Sequence, residues 1–208
     1  MRAISVGSPI SRETEERLLI YVELLAQWRG RKTVNLVSDA SFSRVWTRHI
    51  ADCAQLLYLV PAAKTWLDIG SGGGFPGIVL AIYLADVPGA VVHCVESDRR
   101  KSAFLRAAIR TTGAKAIVHD ARIEALSVHE TGTVDAVTAR GFAPLPIALD
   151  FARPWILEKG VGVFPCGCTA IKHVIDFDKL SYSAKVVPSV TDFTAFVVKI
   201  RSILRGDL

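Results

Sequence analysis

Asp68-Ile69-Gly70-Ser71-Gly72-Gly73-Gly74-Phe75-Pro76-Gly77 is the stretch on which the reading of this chain turns. It follows a short apolar run, Trp66 to Ile69, that reads as a strand, and it opens a helical stretch from Phe75 to Leu84. Five glycines let the backbone turn sharply and approach a ligand without a Cβ in the way. Pro76 suits a first helical turn, where its missing N–H costs nothing. The helix N-terminus then faces whatever the loop holds.

Two ligands fit such a loop. Gly72-x-Gly74-x-x-Gly77 satisfies the dinucleotide fingerprint, a weak match taken alone. Asp68-x-Gly70-x-Gly72-x-Gly74 satisfies the acidic-first pattern of S-adenosylmethionine enzymes, in which the acid can face the amino group of the methionine moiety. A purely structural glycine loop is the third reading. The next strand, His93-Cys94-Val95-Glu96, ends in a carboxylate roughly 20 residues beyond the glycines, the spacing at which ribose hydroxyls are held. Glu96 supports nucleoside binding without choosing between the two ligands.

Outward from the loop, short apolar runs alternate with helical ones. Val91 to Val95, Ala116 to His119, Val134 to Ala139 and Val161 to Phe164 read as strands. Asp98 to Thr112, closed by Gly113, and a stretch near Pro146 to Leu157 read as helices. That alternation predicts a parallel sheet covered on both faces. It ends in two strand-like runs, Lys185 to Val190 and Ala195 to Ile200, separated by Thr191 to Thr194. The gap is too short for a crossover, so these strands must be antiparallel. A parallel sheet finishing in such a hairpin is the arrangement of class I methyltransferases, whereas an ordinary dinucleotide-binding fold finishes with another crossover. The prediction is an α/β, Rossmann-like, mostly parallel seven-stranded sheet. Before it, two helices form an N-terminal cap: one starting at Ser11 with Leu18, Leu19, Val22, Leu25 and Trp28 on its apolar face, the other from near Ser41 to Leu59. A single domain over 1–208 is expected, with the cap over 1–62 and the Rossmann-like core over 63–208.

The bulk composition agrees. The chain has 208 residues, half of them hydrophobic, enough for one domain with a real core. No apolar run is long enough to cross a bilayer and no leader-like apolar segment follows Met1, so a cytoplasmic protein without a membrane partner is expected. Cys53, Cys94, Cys166 and Cys168 form no CxxC pair and join no histidine cluster, so neither a metal nor a disulfide framework is expected. A net charge of +5 permits a nucleic-acid partner without requiring one.

Asn35-Leu36, Arg48-His49-Ile50-Ala51-Asp52, the stretch Gly70 to Ile78, Arg122-Ile123-Glu124 and Ala139-Arg140-Gly141-Phe142-Ala143 stand in the order and spacing of one family. Over nearly its whole length the chain resembles the bacterial small-subunit ribosomal RNA (guanine-N7) methyltransferases, also called the glucose-inhibited division protein B family. The resemblance implies methylation of N7 of a guanine in 16S ribosomal RNA, in the 30S subunit or before it is complete, with S-adenosylmethionine as donor. It implies that Gly70 and Phe75 line the methionine side of the cofactor, Glu96 the ribose, and Ile123 with Glu124 the adenine, with Arg140 beside cofactor and substrate as a positioning group; Asp68, Gly72 and Gly74 join the expected cofactor site through the acidic-first glycine pattern. It places Arg48 and His49 of the cap at the RNA entrance, and the RNA is expected to cross the face that they form with Arg44. Guanine N7 carries an in-plane lone pair and no proton, so no general base is expected. The family has a lysine where Phe164-Pro165-Cys166-Gly167 carries Cys166; Arg140 or Lys172 could supply that charge instead. The alternatives are pyrimidine C5 methylation with Cys166 as nucleophile and a nicotinamide-dependent oxidoreductase.

Overall fold

A computed structural model describes residues 10–30, 34–167 and 182–202. Seven strands form one sheet: β1 (Thr65–Ile69), β2 (Val91–Glu96), β3 (Ala116–Asp120), β4 (Ala136–Ala139), β5 (Val161–Gly167), β6 (Tyr182–Pro188) and β7 (Ala195–Ser202). Their spatial order is β3-β2-β1-β4-β5-β7-β6. The first five run parallel, and β7 is inserted antiparallel between β5 and β6. The predicted terminal hairpin is therefore present, and its second strand, not its first, joins the parallel sheet. A dinucleotide-binding fold would place a sixth parallel strand there.

Alternation along β1 divides the interior. Trp66 points into a core under α1 (Arg12–Gly30), α3 (Asp52–Leu59), α4 (Gly77–Tyr83) and α5 (Arg99–Thr112), with Leu18, Leu25, Leu56, Ile78 and Phe104. Leu67 and Ile69 point into a second core with Leu149, Trp155, Phe164 and Val198, under α6 (Leu145–Leu157). Both faces are covered, as a parallel sheet requires. The cap residues Leu18, Tyr21, Leu25, Val45 and Ile50 belong to the same cluster as Trp66 and Leu80, so cap and sheet bury one another's apolar surface.

Helix ends follow local chemistry. Ser11 Oγ accepts a hydrogen bond from Thr14 N–H ahead of α1. Asp98 caps α5 by accepting from Arg100 N–H at 2.8 Å and Lys101 N–H at 3.3 Å, and Gly113 closes it at φ +69°. Two expectations are corrected. Leu19 is half exposed, and the face of α1 that enters the core is completed by Tyr21. The single cap helix from Ser41 to Leu59 is three pieces: α2 (Asp39–Phe42), a π-helical turn Val45–Ala51, and α3. The wide turn keeps Val45 and Ile50 in the core and carries Arg44, Thr47, Arg48 and His49 along one wall of a crevice. Among the described residues no helix is long and apolar enough to cross a membrane. No group of three His, Cys, Asp or Glu among them could hold a metal ion.

Candidate active site

Parallel register aligns the carboxyl ends of the strands: Ile69 lies beside Val95 and Ala139, and Glu96 beside Asp120. Above that edge, where the strand order reverses between β1 and β4, a crevice of about 1170 Å³ opens. Ligands of open α/β sheets bind at such switch points. The volume exceeds the few hundred Å³ a nucleoside cofactor needs, leaving room for a second ligand.

One wall is backbone. Gly70 and Ser71 both donate N–H to Val95 O, at 2.9 and 3.0 Å, which ties the glycine loop to β2. Gly70 has φ +71°, and a Cβ there would lie 2.5 Å from the Phe142 ring, so the loop and the turn after β4 meet closely. Gly72 has φ +55°, and a Cβ there would meet nothing nearer than Gly70 O at 3.8 Å; its open side faces the crevice. Glu96 is nearly buried. It accepts from Gly72 N–H at 2.9 Å through one oxygen and from Asp98 N–H at 2.8 Å through the other. Each oxygen keeps a lone pair for one of two vicinal hydroxyls. Ile123 is buried on a one-turn 3₁₀ helix Ile123–Ala125, beside exposed Glu124, and both line the crevice.

Asp68 and Gly74 stand elsewhere. Neither lines the crevice. Asp68 is fully buried beneath the loop, where its Oδ2 accepts from Gly77 N–H at 2.9 Å and its Oδ1 has no partner among the described residues. Burial pushes its carboxyl up to about 6, against the opposing hydrogen bonds from Ser71 and Gly77. Gly74 O accepts from Ile78 N–H at 2.9 Å and holds the start of α4.

The other wall is side chain. Phe75 is packed edge-on against Tyr21, at 5.5 Å, and stacked on His49, at 4.6 Å. Arg140, at the end of β4, donates to His49 Nδ1, pairs with Asp52 at 3.2 Å and reaches Arg48 O at 3.4 Å. Its guanidinium carbon lies 5.3 Å from the Phe75 ring centre. An arginine always donates, so His49 Nδ1 must accept, and the imidazole is neutral with its proton on Nε2. Burial, then Arg140, then Arg48 lower the His49 pKa to about 4.

Asp52 is the residue that sequence reasoning passed over, although it closes the quoted Arg48-His49-Ile50-Ala51-Asp52 stretch. One of its oxygens meets Arg140; the other accepts from Gln55 Nε2 at 2.6 Å, Thr191 Oγ1 at 3.0 Å and Ser189 Oγ at 3.3 Å. It thereby ties the cap to the β6–β7 turn. Cys166 lines the crevice within β5. Its thiol donates to Phe164 O at 3.3 Å, and burial raises its pKa to about 12. A thiolate nucleophile is therefore scarce at neutral pH. Lys172, the other candidate for the missing charge, lies outside the described residues.

Comparison with known proteins agrees with this geometry. The profile of the rRNA small subunit methyltransferase G (GidB) family matches residues 14–196. The ribosomal RNA small subunit methyltransferase G of Methylorubrum populi is 43% identical over 199 residues, covering 95% of this chain and 93% of that protein. The protein of the same name from a Bradyrhizobium strain is 51% identical over 157 residues, covering 76% of this chain and 70% of its own. Among solved structures, the O-methyltransferase TomG of Streptomyces achromogenes, in complex with SAM, superposes with a TM-score of 0.58 at 15% identity, covering 95% of this chain and 92% of its own. At that identity the likeness concerns the fold alone. The chain belongs to the rRNA small subunit methyltransferase G family and is an S-adenosylmethionine-dependent methyltransferase.

Proposed function

We propose that the chain methylates N7 of a guanine in 16S ribosomal RNA, acting in the cytoplasm on the 30S subunit or its RNA. The observation that carries this reading is the two-walled crevice, with a nucleoside-sized backbone cradle on one side and a wall bearing Arg44, Arg48, His49 and Arg140 on the other.

The residues fit the donor. Gly70 and Gly72 would admit its methionine part, Glu96 would take the ribose hydroxyls, and Ile123 with Glu124 would flank the adenine. Bound there, S-adenosylmethionine supplies a methyl group on a positively charged sulfur. Asp68 acts from below, holding the loop through Gly77 N–H and placing a buried carboxylate near the site.

The chain's own task is then to hold the guanine, align N7 with the methyl group and exclude water, from which much of the rate can come. N7 attack releases no proton from the ring, so the step asks for no base. His49 gives its acceptor nitrogen to Arg140, and the Asp52 carboxylate is engaged by Arg140 and three further donors. Positive charge develops on the base during transfer. A neutral His49 adds no cation there, and the Arg140 charge is compensated by Asp52. The target base must be unstacked to enter.

The test is methyl transfer to 30S subunits and to bare 16S RNA, followed by mapping of the modified nucleoside. N7-methylguanosine at one position is expected. A methylated pyrimidine or adenosine as the product would overturn the reading.

A further inference from the structure

Phe193, at the tip of the β6–β7 turn, is 97% exposed. Isolated exposed apolar residues are ordinary, but three features set this one apart. First, the turn is fixed. Ser189 Oγ and Thr191 Oγ1 donate to Asp52, Val190 N–H donates to Gln55 Oε1 at 3.1 Å, and Ala195 N–H donates to Asp192 O at 2.9 Å. Asp192 also accepts from Thr194 N–H and Oγ1, at 2.9 and 2.7 Å. The ring is thus held in water by a braced backbone. Second, Phe193 lies at the lip of the crevice whose walls hold Glu96 and Arg140. Third, the surroundings are basic. Arg44 and Arg48 line the crevice together with Asp192 and Phe193, and the Asp192 carboxyl is held below its usual range by Thr194 first, with smaller contributions from Arg48 and Arg44.

We propose that Phe193 is a stacking platform for an unpaired nucleobase of the RNA beside the target guanine, with Arg44 and Arg48 meeting the adjoining phosphates. The proposal rests on the RNA substrate proposed above. A rigid aromatic face next to cations matches single-stranded nucleic acid, whose bases stack on aromatics without sequence demand while the backbone takes the positive charge. Bracing matters because a platform already in place loses little freedom on binding. Asp52 connects this platform to Arg140, so one carboxylate sets both the lip and the floor of the substrate half.

The test compares Phe193→Ala, Phe193→Leu and Phe193→Tyr in binding to bare 16S RNA across a salt series and in methyl transfer to 30S subunits. Phe193→Ala is expected to weaken RNA binding roughly 5- to 150-fold. Phe193→Leu should lose most of that, and Phe193→Tyr should bind like wild type. The salt slope should stay unchanged in all three and fall in Arg48→Ala. KM for RNA should rise more than kcat falls, with S-adenosylhomocysteine affinity constant. Phe193→Ala binding RNA within twofold of wild type would overturn the proposal, as would Phe193→Leu matching Phe193→Tyr. It would also be overturned if Phe193→Ala turned a dimer into a monomer in sedimentation with RNA affinity intact, because the ring would then serve self-association. Absence of RNA methylation by the wild type would instead bring down the underlying reading.

Discussion

The two walls of the crevice reach their positions by different means. The wall proposed to hold the cofactor is one continuous run from β1 through the glycine loop, joined to the end of β2. Its contacts are backbone N–H groups at Gly70, Ser71 and Gly72, held by Val95 O and Glu96. The wall proposed to meet the substrate is assembled from a π-helical turn, the end of β4 and the β6–β7 turn, up to 139 residues apart, and is held by side chains meeting at Asp52. A wall made of backbone tolerates little change at a few glycines. One made of linked side chains should lose function by degrees.

The largest effect is expected at the backbone wall. Gly70→Arg puts a side chain at φ +71° and into the Phe142 ring. The strain is about 1–3 kcal/mol, within what a domain of this size can lose, so the protein should fold. S-adenosylmethionine binding should be undetectable by calorimetry, with a thermal midpoint lowered by a few degrees. Wild-type affinity in the folded variant would show that the loop is not the cofactor cradle.

On the substrate wall, Arg140→Ala should lower turnover more than Arg48→Ala. Arg140 is mostly buried and faces His49, Asp52 and Phe75 together, whereas Arg48 is exposed. Arg140→Ala should cost more than tenfold in kcat with near-normal RNA affinity. Arg48→Ala should leave kcat nearly intact, weaken RNA binding and reduce the salt slope by about 1. Full activity in both variants would mean that the RNA enters by another face.

Much of the structure of the glycine-loop wall was legible in the sequence because its signals are local. Glycine spacing, a strand-end acid and the alternation of apolar runs each lie within about 20 residues. The hairpin was legible from a gap too short for a crossover. Asp68 shows the limit of that reading: its spacing is right, yet β1 alternation turns its side chain to the Trp66 face, under the loop, not toward the crevice. The substrate wall was half legible. Arg44, Arg48, His49 and Arg140 line one crevice, and Arg140 meets Arg48 and His49 directly. Periodicity could not show that the cap helix breaks at a π turn, because Val45 and Ile50 suit a regular helix equally well. Nor could it show Asp52 as a hub, whose partners Ser189 and Thr191 become neighbours only when β7 inserts beside β5.

pH separates the walls less sharply. His49 has a folded pKa near 4, below the ordinary value near 6.5, through burial and then Arg140 and Arg48. Its neutral form is the folded one, so the stability it contributes is present above pH 6.5 and is lost as pH falls from about 6.5 toward 4. The His93–His119 pair, at 2.9 Å, is shifted the same way by burial, so it adds to this loss. His49→Asn should flatten the fall in unfolding free energy over this window by roughly 1–2 kcal/mol, allowing for screening of a partly exposed ring, read from thermal or denaturant unfolding across the pH range. An unchanged pH profile would mean that His49 titrates alike in the folded and unfolded chain and that Arg140 points elsewhere.

The smallest effect is expected at Cys166, where the family resemblance led to a lysine. Its thiol donates to Phe164 O, burial holds it protonated to about 12, and its neighbour across the ladder is Phe196. Methylation at pyrimidine C5 would require this sulfur as a nucleophile, with a covalent bond to the base; attack by guanine N7 requires no such bond. Cys166→Ala removes one half-buried sulfur and leaves the Phe164 carbonyl its main-chain surroundings, so a stability loss of about 1 kcal/mol and activity within about twofold to threefold of wild type are expected. Cys166→Lys sharpens the comparison. If the substrate wall draws its charge from Arg140 and the cap, an added lysine should raise RNA affinity and steepen the salt slope by about 1 while barely changing kcat. Loss of activity in Cys166→Ala, together with a protein–RNA adduct trapped by the wild type, would overturn the N7 mechanism and move the chemistry from the base's lone pair to the enzyme's sulfur.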